Sequence, residues 1–196
     1  MVRWKPGAKE RLQAAALELF ATRGFEQTTA AEIAESVGLT ERTFFRHFSD
    51  KREVLFHGQE QFVQAFLDGI DSAPAGSSPL EIVAAAIHSA TAFFPDERRP
   101  QSRIRQVLID RNPALQERES HKMSSLAATL VEALHRRGIG EPAASLAAES
   151  GATVFGIAFT QWIRDDETRS MPAIVDEVFG ELRTLSAPGS STPNPR

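Results

Sequence analysis

Residues 29–51 read TAAEIAESVGLTERTFFRHFSDK, and the fold is decided there. The stretch opens on Thr29-Ala30-Ala31-Glu32, the spacing of a capping box. In that arrangement a threonine oxygen accepts from the amide three residues on, and the glutamate reaches back. A helix is therefore expected from near Ala30, stopping before Gly38, which accepts the positive φ of a tight turn. Thr40 caps another short helix that ends near Phe48. The small side chain of Ala34 lets the two helices cross closely. Ile33, Val37, Leu39, Phe44 and Phe48 supply the apolar seal between them. Two short helices around such a turn make a helix-turn-helix, whose second helix lies in a DNA major groove.

The second helix has a readable outer face. If Phe44 and Phe48, four apart, point inward, then Arg42 and Arg46 lie about half a turn away and point outward. Thr43, Phe45 and His47 flank them. Arginine grips guanine O6 and N7, and methyl or aromatic groups touch thymine. Lys51 adds a phosphate contact, as do the amides and hydroxyl at Thr29, because a helix N-terminus attracts anions. The competing reading is an ordinary solvated arginine face. The coincidence of the turn, the small residue, the apolar seal and the capping signals favours DNA.

Working outward, the sequence reads as helix almost throughout. A first helix over about 9–23 carries Leu12, Ala15, Ala16, Leu19 and Phe20 on one face and stops at Gly24. Asp50 and Glu53 open a fourth helix running toward Asp71. A turn-rich break over 72–79 follows, then helices at about 80–94, 101–111, 114–137, 142–165 and 172–186. The expectation is an all-α fold of about nine helices. A helix-turn-helix domain occupies 1–50, a helical effector and dimerisation domain 51–186, and a flexible tail 187–196, where SAPGSSTPNPR has almost nothing to bury.

Residues 9–57 resemble the DNA-binding domain of the TetR (tetracycline-repressor) family of bacterial regulators. The resemblance rests on Ala16-Leu17-Glu18-Leu19-Phe20, Arg23-Gly24-Phe25, Thr28-Thr29, Glu32-Ile33-Ala34, Val37-Gly38-Leu39-Thr40, Thr43-Phe44-Phe45-Arg46-His47-Phe48 and Asp50-Lys51. It implies Thr29, Arg42, Thr43, Phe45, Arg46, His47 and Lys51 as the DNA-facing positions. The family usually has tyrosine where this chain has Phe45, so Phe45 carries over as an apolar or stacking contact. Arg3, Trp4 and Lys5 suit an arm along the DNA backbone or minor groove. The resemblance also implies a C-terminal domain that dimerises and binds a small effector, release from the operator being the family's common mode. Ser102-Arg103-Ile104-Arg105, Asn112-Pro113-Ala114-Leu115 and Trp162 resemble the branch with an acyl-coenzyme-A-like ligand domain, which points to a largely apolar effector.

The chain's residues speak to the second half independently. Ala144, Ala148, Ala152 and Gly156 recur every four residues, a small-residue stripe that lets another helix approach, and Val178 and Leu182 belong to a broad apolar face near the end. The expected dimer interface is Ala148, Ala152, Gly156, Val178 and Leu182; packing within one subunit is the alternative. For the effector, aromatic rings and polar groups set in apolar stretches suggest Phe62, Phe66, His88, Arg105, Phe159 and Trp162. Core packing is the alternative for each ring.

Composition narrows the classes. The 196 residues carry a net charge of −4, but residues 1–57 hold nine Lys and Arg against eight Asp and Glu, so the basic share lies where DNA is expected. Cysteine is absent, which excludes disulfides, thiol catalysis and cysteine-ligated metal, and the five histidines show no metal-ligand spacing. No P-loop, dinucleotide-binding glycine pattern or HExxH occurs, so no enzyme and no cofactor is expected. No membrane span or leader is read, and a cytoplasmic site follows. The function expected is a sequence-specific transcriptional regulator, a repressor released by a small apolar effector, acting as a homodimer on double-stranded operator DNA. A helical ligand-sensing or interaction protein without a DNA target is the alternative, and an enzyme the remoter one.

Overall fold

The computed structural model describes residues 7–186. Among these residues it contains nine α-helices and no strand. They are α1 (Ala8–Arg23), α2 (Ala30–Ser36), α3 (Glu41–His47), α4 (Gln59–Ser72), α5 (Pro79–Ala90), α6 (Arg99–Asp110), α7 (Pro113–Arg136), α8 (Ala143–Trp162) and α9 (Met171–Ser186). The all-α expectation holds. The expected arm at Arg3, Trp4 and Lys5 and the tail at 187–196 lie outside the described residues.

One element departs from the sequence reading. The helix expected to run unbroken from Asp50 to Asp71 is divided into a 3₁₀ turn at Glu53–Phe56 and α4 from Gln59. Asp50 does cap, as expected, but what it caps is the short turn: its Oδ1 accepts from the amides of Arg52 at 2.7 Å and Glu53 at 3.2 Å. Val54, Leu55 and Phe56 are all buried, and three consecutive apolar residues do not share one face of a straight α-helix. Gly58, at φ +91°, then redirects the chain in a conformation that costs other residues strain.

Packing divides the chain into two compact units. One joins the residues up to Gln64 with Glu97–Ala128, and the other joins Ala65–Asp96 with the residues from Thr129 onward. This division does not follow the functional boundary expected after residue 50, because α6 and the first part of α7 share the core of the helix-turn-helix. In that core Leu12, Ala16 and Phe20 of α1 meet Ile33, Ala34, Phe44 and Phe48, with Val54, Leu55, Phe56, Leu108, Ile109 and Leu115. Burying one such large side chain is worth about 1.5–3 kcal/mol.

In the second unit α8 packs against both α5 and α9. By length and composition α8 is apolar enough to cross a membrane, a run that the sequence reading passed over. Here Ala144, Ala147, Ala148, Gly151, Val154, Phe155, Ala158 and Trp162 are buried within the unit. The small residues serve the chain's own packing: a Cβ on Gly151 would collide with Val83 of α5. Gly69 of α4 lies equally close to α5, where a Cβ would stand 2.5 Å from Ala86 Cα.

Candidate nucleic-acid interface

The interface is built on α3, and α3 is held from below. Phe44 is fully buried and Phe48 is 6% exposed, their ring centroids 5.4 Å apart. With that face turned inward, Arg42, Phe45 and Arg46 are exposed. Phe45 keeps half of its surface in solvent, its ring edge-on to Phe44 at 5.4 Å. Neither the Arg42 nor the Arg46 guanidinium makes a hydrogen bond or ion pair among the described residues, so both are available. Two unengaged forks with an apolar ring between them match the donor and methyl-contacting groups that read base edges.

The caps position these side chains. Thr40 Oγ1 accepts from the Thr43 amide at 3.2 Å, and the two hydroxyls are 3.0 Å apart. Thr43 is half-buried, its hydroxyl engaged in this cap. At α2 the expected capping box is complete. Thr29 Oγ1 accepts from the Glu32 amide at 3.2 Å, and the Thr29 amide donates to Glu32 Oε2 at 2.8 Å. That backbone bond and the Thr29 hydroxyl hold the Glu32 carboxyl below the usual carboxylate range. Gly38 makes the turn at φ +70°.

Two expected contacts come out differently. Lys51 was expected on phosphate, but its ammonium faces inward. It donates to the Phe25 carbonyl at 2.8 Å, with the Thr28 and Glu26 carbonyls at 3.3 and 3.4 Å, and it sits 4.3 Å from the Phe25 ring centre. An ammonium has three donors, and all three are directed at the loop before Thr29. Lys51 thus positions that loop. His47 is half-buried, and its Nε2 is buried without a hydrogen-bond partner, so that nitrogen is not presented to a phosphate. Sequence reasoning missed Arg11, whose guanidinium donates to the Val37 carbonyl and ties α1 to the turn. No local pattern signals a contact 26 residues away.

Three of the expected effector residues meet one another. Phe66, Phe159 and Trp162 come together in the second unit with Phe94 and Phe155, at centroid spacings of 5.4–6.2 Å. Trp162, Phe66 and Phe155 are buried, whereas Phe94 and Phe159 are half-buried. The Trp162 indole donates to Asp96 Oδ1 at 3.2 Å. Arg105 does not join this cluster. It belongs to the first unit, where it donates to the Leu55 carbonyl and to Glu119, both at 3.0 Å, and stacks over Phe56. Phe62, one turn before Phe66 on α4, is half-buried. His88 points outward to Asp176 at 2.9 Å. Spacing along the chain did not reveal which groups the fold had already paired.

The dimer residues also divide. Ala148 is fully buried inside its own unit and has no surface for a partner, which corrects the sequence expectation. Ala152, Val178 and Leu182 are half-buried, and Gly156 is exposed with open space around it. Leu146 and Ile157, eleven residues apart and so on one face of α8, are 65% and 52% exposed, and Leu185 of α9 is 83% exposed.

Comparisons with known proteins match both halves of the chain. The family profile described as bacterial regulatory proteins of the tetR family matches residues 12–57. A second profile, the MftR C-terminal domain, matches residues 77–186. The transcriptional regulator TcmR of Streptomyces glaucescens is 39% identical over 88 residues, which span 45% of this chain and 39% of TcmR. MftR of Mycobacterium tuberculosis, described as a candidate mycofactocin biosynthesis regulator, is 26% identical over 87% of this chain and 89% of its own. The structure of Thermus thermophilus FadR with lauroyl-CoA superposes over 96% of this chain and 99% of that one. Its TM-score is 0.53 at 23% identity, a likeness of fold.

Proposed function

Because the chain belongs to the TetR family of bacterial regulators, we propose that it is a transcriptional repressor released from operator DNA by a small, largely apolar effector. The observation that carries this reading is the pair of unengaged guanidiniums, Arg42 and Arg46, on a helix whose opposite face is locked into the core. Arg42, Arg46 and Phe45 are the base-reading groups; Thr29 and Thr43 line the same surface. Lys51 supports it from behind.

The working form is a homodimer, cytoplasmic as operator access requires. A second copy covers Leu146, Gly156 and Ile157 of α8 with Val178, Leu182 and Leu185 of α9. Large exposed apolar side chains sharing a helix face mark such a contact, and two-fold symmetry sets two copies of α3 on successive major grooves. The effector enters the aromatic cluster by parting Phe94 and Phe159, its two half-buried rings. An apolar lining with one polar group, Asp96 on the Trp162 indole, suits an apolar body. Phe66 lies on α4, whose first turn belongs to the unit bearing α3. A ring displaced at Phe66 therefore moves the helix that leads to the DNA-binding half.

Footprinting of genomic fragments with the full chain tests the reading. The expected result is protection of inverted half-sites about one helical turn, 34 Å, apart or a multiple of it. Protection without any repeated sequence would contradict it.

A further inference from the structure

A groove of about 590 Å³ opens in the first unit between the end of α1 and the outer face of α6, and it includes no residue of α3 or of the aromatic cluster. Its volume lies within the range of small-molecule sites. The floor is Phe20, Phe25 and Leu108. Ile104 and Val107 form the wall, each 40% exposed on a helix otherwise rich in arginine. Arg103, Val107 and Arg111 follow at four-residue spacing, so the wall runs about 12 Å along α6.

The charge of the lining is one-sided. Arg111 is exposed, and its guanidinium makes no hydrogen bond or ion pair among the described residues. Glu26 is the one acidic residue of the lining, and the Lys51 ammonium stands 4.0 Å from it. An apolar wall ending at an unengaged guanidinium suits a ligand with an apolar body and an anionic head. A neutral hydrophobe leaves the guanidinium unanswered, and a cation is repelled. We propose that this groove binds an amphipathic anion, its ring or short acyl body against Phe25, Ile104 and Val107 and its carboxylate or sulfonate on Arg111. The site goes beyond the effector reading above, since it lies wholly in the unit that carries α3.

The absence of cysteine makes the test direct. Gln27→Cys places a single thiol on the groove's rim, and Ala75→Cys places one in the exposed loop between α4 and α5 as a control. The probe is 1-anilinonaphthalene-8-sulfonate, and the readout is the rate of alkylation by iodoacetamide in the full chain. At a probe concentration ten times its Kd, alkylation at position 27 is expected to slow about tenfold, with position 75 unchanged. Arg111→Glu in the Gln27→Cys background is expected to weaken the probe about tenfold. Ile104→Asp, which places an acid in the wall, supplies the same reading if Arg111→Glu melts early. No slowing at position 27, equal slowing at both thiols, or equal protection by neutral N-phenyl-1-naphthylamine would overturn the proposal. So would an alkylation rate at position 27 that falls with protein concentration in the absence of probe, since the occupant would then be a second copy.

Discussion

Phe44 sets the direction in which two arginines point. Its ring has no exposed surface, so a seven-residue helix cannot rotate without leaving a cavity beneath it. Phe44→Ala is expected to cost about 3–5 kcal/mol in urea denaturation. Arg42→Ala and Arg46→Ala are expected to leave the melt within about 0.5 kcal/mol of wild type. Each should cost roughly 1–3 kcal/mol in operator affinity and relax specificity at one position per half-site. The orientation of these residues was legible in the sequence, because a four-residue phenylalanine spacing fixes a helix face. The role of Lys51 was not. Its carbonyl partners lie 23–26 residues away and meet it only once the loop has folded. Lys51→Ala is therefore expected to lower stability by about 1–2 kcal/mol, seen as a lower melting temperature. The slope of operator affinity against salt should stay nearly unchanged, where a direct phosphate contact would reduce it by about one.

Between the helix-turn-helix and α4, the 3₁₀ turn is tied down by charge. Arg118 donates to both carboxylate oxygens of Glu53, and the Lys122 ammonium is 3.5 Å away. The Arg118 hydrogen bonds hold the Glu53 carboxyl below its usual range. A carboxylate whose folded pKa is depressed contributes stability above its unfolded value, near 4.3, and loses it as pH falls through the folded value. Glu53→Gln is thus expected to cost on the order of 1 kcal/mol at pH 7. Melts at stepped pH should show the gap between wild type and variant closing below about pH 4; a gap that stays constant would remove the charge from the account. Caps and stops made most helix ends readable, but the break at residues 57–58 was hidden, because Asp50 and Glu53 signal a start without saying how long the helix runs. Close contact between elements is tested at Gly69, where alanine would press a Cβ to 2.5 Å from the α5 backbone. Gly69→Ala is expected to destabilise the chain by about 1–3 kcal/mol.

At the scale of the whole molecule, the small-residue stripe of α8 is divided between the chain's own packing and the contact proposed for a second copy, which sequence periodicity cannot separate. Ala148 and Gly151 let α5 and α9 pack within the unit, while Gly156 faces open space. Gly156→Leu therefore leaves the single chain undisturbed and is expected to lower the sedimentation coefficient toward the monomer at micromolar concentration; an unchanged boundary would move the proposed dimer contact elsewhere. The aromatic cluster was half legible. Phe66, Phe159 and Trp162 were found by their type, whereas Arg105 and His88 proved to be engaged with Glu119 and Asp176. The outward arginines of α3 are proposed to read the operator. Fluorescence anisotropy of the footprinted duplex and a scrambled one, at physiological salt, tests it with wild type and the Arg42→Ala/Arg46→Ala double variant. Wild type is expected to show a specificity ratio of at least about 10³ that collapses by a factor of about 10² or more in the double variant, with weak salt-dependent binding retained. A double variant that keeps the wild-type ratio would contradict it.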